Sequence, residues 1–412
     1  MAYSPEDAEG FEDEAVDAYL AAEDALIAAL VAAATRTGRA PNWQAAATME
    51  LQRQMPEVLR VARGLDRDVP AIVNRATAAA YRQGRAQGEA ETQAARRAGH
   101  LPPKTITTPP ELDAVIPEAD RTVTVGRPDA TPIKLRPPLP QVPGSTTIGQ
   151  DAANAAAKRA RDAARVVHQQ IPRNVRSVWA DIIRRASEKV QAGDLTVQQA
   201  LQQAMDDAAK EGFGFYRDAA GRKWGLDTYS EMAIRTTTNQ ALRAGHAQAL
   251  VDAGLDLVIV DAHANPAPVC APFERRVLSL TGAYRPGTQR VDNTIVNVAA
   301  TMDEAISAGF QHPNCRHSIA AYLPGFTDTT PPPPDPDHEG YKATQKQRRL
   351  EREIRKSRRM EQAALSDDAK RAASERKRAY EKKLREHIKE YDLPRRRHRE
   401  QIRKPGNPMP PA

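Results

Sequence analysis

Two proline-rich segments interrupt an otherwise helix-prone chain and divide it into parts. Eleven prolines lie between Leu101 and Gly144, and four more follow one another at positions 331–334. Proline lacks a backbone N–H and disfavours helix in the residue before it, so such segments are extended and pack poorly. We therefore predict an interdomain linker or surface arm over residues 101–150 and a second linker over residues 327–340.

Residues 1–100 have the apolar spacing of a small helical module. Apolar residues recur at intervals of three and four from Val16 to Val31, which is the period of one helix face. The first helix is expected to end at Gly38. A second helix is predicted over Asn42–Gly64 and a third over Pro70–Gly99, because asparagine caps helices, proline fits a first turn and glycine favours a helix end.

Residues 151–326 combine helices with strands. Helical patterning continues to about Leu250 and includes helices predicted over Asp194–Ala209 and Tyr229–Leu250. Four runs of β-preferring residues then predict strands, at Leu257–Val260, Arg276–Leu280, Val291–Val298 and Ser318–Tyr322. This order of elements favours a compact α+β unit.

Residues 341–412 form a basic helical tail. Between Tyr341 and Lys404 there are 24 Lys and Arg residues against 11 Asp and Glu, although the whole chain carries a net charge of only +7. The acidic residues near the start precede the first basic residue, Arg36, so the N-terminal region is acidic and the C-terminal region is basic. Ser366 is followed by two aspartates and is expected to cap a second tail helix. The predicted fold is mainly α with a central α+β domain, in an elongated, multi-segment chain.

Composition argues against several classes of protein. Two cysteines cannot form a disulfide framework in a chain of 412 residues, and no secretory leader is recognisable at the start, which favours synthesis in a reducing cytoplasm. The longest strongly apolar stretch, Ala25–Ala34, is shorter than the ~20 residues that cross a bilayer, so we expect no membrane contact.

Four sequence blocks carry a family resemblance. They are WGLDTYSEMAIRT at 224–236, DAHANPAPVCAPFERRVLSLTG at 261–282, GFQHPNCRHSIAAYLPG at 309–325 and YKATQKQRRLEREIRKSRR at 341–359. In this order they resemble the phage minor capsid protein 2 family, which is related to the Mu F-type head morphogenesis proteins. The resemblance covers residues from about 160 to 400. It departs from the family after Cys270, where Ala271–Glu274 stand in place of a second cysteine or a glycine-bearing loop.

The resemblance implies a structural minor capsid protein of a tailed bacteriophage. Such a protein is assembled in the host cytoplasm, acts in procapsid and head assembly, and resides in the virion, inside the capsid or at the portal vertex. Its implied partners are the portal protein and the major capsid or scaffold protein. We expect no enzymatic activity, because the sequence contains no G-x-S-x-G, H-E-x-x-H or phosphate-binding loop motif. The alternatives are a maturation protease or other enzyme fused to a Mu F-like domain, and a non-specific DNA-binding virion protein.

Five residues form the candidate metal site: His263, Cys270, His312, Cys315 and His317. Thiolates and imidazoles are the ligands of structural zinc, and we expect no other cofactor. The alternatives are a tight turn with a buried cysteine, a catalytic role, and a disulfide on oxidation. Because one predicted strand leads into the Cys270 loop and another leaves the Cys315 turn, the two cysteines are expected to lie close together.

Seven basic residues crowd the first tail helix: Arg348, Arg349, Arg352, Arg355, Lys356, Arg358 and Arg359. Such a density of cations suits the neutralisation of DNA phosphates, or contact with an acidic face of the portal or scaffold protein. The alternative is a solvated helix that packs against a partner through its narrow apolar face. Few aromatic residues are interleaved with the charges, so any contact with double-stranded DNA is expected to be independent of sequence.

Overall fold

The described part of the chain is mainly helical and contains a small five-stranded mixed sheet and a two-stranded antiparallel sheet. The computed structural model describes residues 11, 13–101, 148–213, 215–217, 221, 223–291, 294–312, 315–333, 335–395 and 400. Its helices are α1 (Asp13–Arg39), α2 (Trp43–Arg97), α3 (Gly149–Gln191), α4 (Val197–Lys210), α5 (Leu226–Asp252), α6 (Met302–Ser307), α7 (Glu339–Gln362) and α8 (Asp367–Tyr391). Its strands are β1 (Tyr216–Arg217), β2 (Lys223–Trp224), β3 (Leu257–Val260), β4 (Val277–Ser279), β5 (Gly287–Val291), β6 (Thr294–Thr301) and β7 (Ile319–Ala321). The prediction of a mainly α chain with a central α+β region is confirmed. Most of the predicted 101–150 arm lies outside the described residues.

Two compact units are each assembled from segments that are distant in the sequence. The sheet unit comprises the described residues within 1–12, 74–159 and 234–341. The helical unit comprises those within 13–73, 160–233 and 342–412. Each unit therefore combines parts of several of the consecutive segments that were predicted from the sequence.

A single helix, α2, replaces the two helices that were predicted over Asn42–Gly64 and Pro70–Gly99. It runs unbroken for 55 residues and has Pro56 and Pro70 in its interior. An interior proline costs a helix ~3 kcal/mol or more, because it removes a hydrogen bond and crowds the preceding turn. Burying each large apolar side chain contributes ~1.5–3 kcal/mol, which offsets that cost. The buried stripe around the two prolines comprises Met55, Val58, Val61, Leu65, Val69 and Ile72.

The first helix, α1, is long and apolar enough to cross a membrane by length and composition, contrary to the expectation from the ten-residue Ala25–Ala34 stretch. Within the fold, 56% of its most apolar window is buried. The helix also buries two polar side chains with their partners. The Tyr19 hydroxyl lies 2.8 Å from His168 Nε2, and Glu23 pairs with Arg359 at 2.6 Å. The core helix of a packed unit meets the same length and composition criteria.

A five-stranded sheet forms the centre of the sheet unit, in the order β5-β6-β4-β3-β7. β3 pairs antiparallel with β4 and β7, β4 pairs parallel with β6, and β5 and β6 form an antiparallel hairpin. The strands predicted near β3, β4 and β7 are confirmed. The strand predicted over Val291–Val298 is wrong in its bounds, because β5 ends at Val291 and β6 begins at Thr294.

Glycines allow α5 to approach α2 closely within the sheet unit. A Cβ atom added to Gly84 of α2 would overlap the carbonyl oxygen of Leu242, and one added to Gly245 of α5 would overlap that of Tyr81. Any larger residue at these positions would therefore force the two backbones apart.

Glu91 of α2 joins this helix pair to the edge of the sheet. One carboxylate oxygen accepts the backbone N–H of Ala321 in β7 at 2.7 Å, and the other lies 2.8 Å from Nε2 of the fully buried His246. β7 is an edge strand, so this contact satisfies a backbone donor that would otherwise lack a neighbouring strand.

The basic tail is a helical hairpin that packs into the helical unit. Ser366 caps α8 as predicted, with its hydroxyl accepting the N–H of Ala369 at 3.2 Å. Ion pairs between α7 and α8 include Glu353 with Arg376 at 3.1 Å and Glu361 with Lys377 at 2.7 Å.

Candidate functional site

The two cysteines lie in loops that leave the same end of the sheet. β3 ends at Val260 and β7 begins at Ile319, and these two residues are antiparallel partners. The loop that follows β3 carries Cys270, and the loop that precedes β7 carries Cys315. Their closeness therefore follows from the topology of the sheet, as the strand order predicted.

Three ligand groups converge between these loops. Both cysteines are reduced and buried, and their sulfur atoms are 3.8 Å apart. The donor atoms of Cys270, Cys315 and His312 all lie within 4.8 Å of one another. His317 lies beside this set, with Nδ1 3.5 Å from Cys315 Sγ.

The buried carboxylate of Glu274 is hydrogen-bonded to His317 of this cluster. Glu274 Oε1 lies 2.8 Å from His317 Nε2 and accepts the backbone N–H of His263 at 2.6 Å. The imidazole of His263 is at the margin of the cluster: its ring centroid is 5.8 Å from that of His317, and its Nδ1 accepts the N–H of Asn265 at 3.0 Å. Of the five predicted ligands, His263 is thus the one that points into its own loop.

The charges in the cluster are strongly coupled. The hydrogen bond from the Cys270 thiol lowers the pKa of Cys315, and His317 and Arg243 lower it further. The same bond to Cys315, together with burial, raises the pKa of Cys270. Burial alone would lower the pKa of His317, but Cys315 and Glu274 raise it to about 9. Cys315 is therefore the sulfur that loses its proton more readily, and it lies beside an imidazole that keeps its proton more readily than a free histidine.

The arrangement resembles a catalytic triad, with Cys315 as nucleophile, His317 as base and Glu274 as the acid that orients the base. No sequence motif predicted it. A nucleophile must reach its substrate, but Cys315 and His317 are each 3% exposed and Glu274 is 4% exposed. A closed site of thiolates and imidazoles suits a structural metal ion better than catalysis.

The seven basic residues predicted on α7 do not share one environment. Arg349 and Arg352 are exposed, whereas Arg348, Arg355, Lys356 and Arg358 are partly buried. Arg359 is buried and ion-paired with Glu23, so its charge is directed into the helical unit. Partial desolvation lowers the pKa of Arg352, and the neighbouring Arg355 and Arg348 lower it further.

A second group of cations, on α8, was missed by the sequence reasoning. It consists of five exposed residues at spacings of 7, 4, 3 and 4, which place them on one helix face: Arg371, Arg378, Lys382, Arg385 and Lys389. We call this group the α8 stripe. Within the described residues, no ion pair links Arg378, Arg385 or Lys389 to a carboxylate. The helical period of the stripe is readable from the sequence and could have revealed it.

The fold and the site define a mainly helical protein with a Cys/His cluster in its sheet unit and a basic helical hairpin. The model of the family described as phage minor capsid protein 2 matches residues 129–389, more than half of the chain, and the chain belongs to this family. The resemblance carried by the four sequence blocks is confirmed.

The chain is also similar to a protein of Lactococcus phage LL-H that is described as a structural protein. The two are 29% identical over 191 residues, which is 45% of this chain and 50% of that relative. The chain thus spans about half the length of the relative it matches. No solved structure matches the chain.

Proposed function

We propose that this phage structural protein is a low-copy component of the head of a tailed bacteriophage, acting in head assembly next to the portal. The α8 stripe and the exposed cations of α7 contact the packaged double-stranded DNA without reading its sequence. The protein works by binding and not by catalysis. Family membership supports the structural role, and the inaccessibility of Cys315 argues against a maturation protease.

The α8 stripe is the observation that carries the DNA contact. Its five cations extend over 19 residues of helix, from Arg371 to Lys389, and the 18 rises of ~1.5 Å between them correspond to about 27 Å. A row of that length can meet several consecutive phosphates, and the attraction comes mainly from the release of their counterions. Lys342, Lys346, Arg349 and Arg352 add exposed cations on one face of α7.

An acidic face of the portal or scaffold protein is the second candidate for this surface. Charge complementarity raises the rate of encounter with either partner, so positive charge alone does not separate the two. The two partners should differ in how steeply the binding affinity falls as the salt concentration rises. Each neutralised phosphate adds ~0.9 to the slope of log affinity against log salt concentration, so five stripe contacts add roughly 4–5.

The test measures binding of the full chain to two DNA duplexes of unrelated sequence by fluorescence anisotropy over a range of salt concentrations. The stripe variant replaces the five stripe cations with glutamine. The control variant removes the same number of charges from cations that are ion-paired on the surface of the helical unit: Arg53, Arg60, Arg67, Arg184 and Lys189.

We expect the wild type to bind both duplexes equally and the stripe variant to lose most of the salt slope. The control variant should keep it, although both variants have the same net charge. Equal losses in the two variants would contradict a role for the stripe. An interaction that is insensitive to salt, or selective for one duplex, would contradict the phosphate contact itself.

A further inference from the structure

The Cys/His cluster lies between two loops of the sheet unit, where Cys270, Cys315 and His317 are buried and His312 is partly buried. We propose that Cys270, Cys315, His312 and His317 bind one structural Zn²⁺ ion and so join the loop after β3 to the loop before β7. The inference is independent of the proposed function in the phage head.

Two of the distances between the ligand atoms match those of a tetrahedral zinc site. With Zn–S bonds of ~2.3 Å and Zn–N bonds of ~2.0–2.1 Å, tetrahedral angles place two sulfurs about 3.8 Å apart and a sulfur about 3.5 Å from a nitrogen. The two sulfur atoms here are 3.8 Å apart, and His317 Nδ1 is 3.5 Å from Cys315 Sγ. His312 adds a nitrogen within 4.8 Å of both sulfurs.

The surroundings of His317 are those of a zinc-bound histidine. Metal-binding imidazoles generally donate their second N–H to a carboxylate, which fixes the ring and makes it a stronger ligand. Here Nδ1 faces Cys315 and Nε2 faces Glu274 Oε1 at 2.8 Å. Glu274 is itself held by the backbone N–H of His263, so the carboxylate has little freedom to turn away.

The two loops contain little regular structure that could hold them together. Between β3 and β4 the regular structure is the three-residue 3-10 helix Ala271–Phe273, and none is assigned to the described residues between α6 and β7. The apolar contact between the loops includes Phe273 and Phe310, whose ring centroids are 5.3 Å apart. A metal ion bound by both loops would add its binding free energy to the stability of the sheet unit.

A disulfide is the competing use of the same two sulfurs. It requires a sulfur separation of ~2.05 Å, well below the observed 3.8 Å, and it leaves His312, His317 and Glu274 without a role. The zinc site uses all of these groups, and two thiolates with two neutral imidazoles balance the charge of the ion.

The first measurement is the metal content of the full-length protein, purified without chelator, together with the visible spectrum of metal-stripped protein titrated with Co²⁺. We expect one Zn²⁺ per chain, and with Co²⁺ the d–d and thiolate charge-transfer bands of a tetrahedral site with two sulfur ligands. Cys270→Ser or Cys315→Ser leaves one thiolate and should weaken the charge-transfer bands, and the double variant should abolish them. His263→Ala changes a neighbouring histidine outside the ligand set and should leave metal content and spectrum unchanged.

Glu274→Gln separates this site from a merely buried turn. Loss of such a supporting carboxylate should lower zinc affinity ~10–100-fold while the ion still binds. This readout also holds if the cysteine variants fail to fold, because it uses a variant that keeps all four ligands. Wild-type protein without metal, and without tetrahedral bands on addition of Co²⁺, would overturn the proposal. So would a denatured mass that is lower by two hydrogens, since it would show a Cys270–Cys315 disulfide.

Discussion

Replacing Arg359 with methionine tests whether the C-terminal helices are an integral part of the helical unit. The guanidinium of Arg359 pairs with Glu23 of α1 at 2.6 Å, and the two side chains are only 6% and 4% exposed. Breaking a buried ion pair by removing one of its two charges costs ~3–5 kcal/mol, because the remaining charge loses this stabilisation away from water. In a unit of roughly 200 residues this corresponds to a melting temperature lower by about 6–20 °C.

The matched control is Arg184→Met on α3. Arg184 pairs with Glu188 at 2.7 Å, but these side chains are 56% and 60% exposed, and exposed pairs contribute only ~0–1 kcal/mol. The assay is thermal and urea unfolding of the full chain, monitored by circular dichroism. In a double variant, Glu23→Leu with Arg359→Met, both charges are absent and much of the lost stability should return. If Arg359→Met is no more destabilising than Arg184→Met, the tail does not contribute to the core of the helical unit.

Two further changes have expected outcomes that stability measurements can check. Gly84→Ala should destabilise the protein by ~1–3 kcal/mol, because the added methyl group overlaps the carbonyl oxygen of Leu242. The control, Gly64→Ala in the same helix, places a methyl group where no atom lies within 4 Å and should stabilise the protein by ~0.5–1 kcal/mol. Equal effects of the two would refute the close helix contact. Burial lowers the pKa of His168 below 6.5. The stability contributed by its neutral ring, which is hydrogen-bonded to Tyr19, is therefore fully present above pH 6.5 and is lost as pH falls towards the lowered pKa. A His168→Gln variant should flatten this acid-side loss of stability, and an unchanged pH profile would argue against it.

Local signals in the sequence predicted the elements around the candidate site. Ser366 could be predicted as a cap because a few neighbouring residues determine where a helix begins. The closeness of Cys270 and Cys315 could be predicted because the order of the strands brings their two loops to one end of the sheet. The same holds for three of the five strands of the sheet.

What the sequence did not predict depends on packing between distant segments. The continuity of α2 through Pro56 and Pro70 requires burial of its apolar stripe, and the pairing of Arg359 with Glu23 joins residues 336 positions apart. Neither can be read from neighbouring residues, so Arg359 was grouped with cations that face outward. The α8 stripe is different, since its helical period was present in the sequence but was obscured by the overall density of charge.

The protein composition of purified particles tests the central claim most directly. Quantitative mass spectrometry of virions and of procapsids that have not yet packaged DNA gives the copy number of this protein relative to the portal and the major capsid protein. We predict that it is present in both kinds of particle, in an amount close to that of the portal and far below that of the major capsid protein. Absence from both particles would contradict a role in the phage head, and an amount equal to the major capsid protein would contradict a minor one.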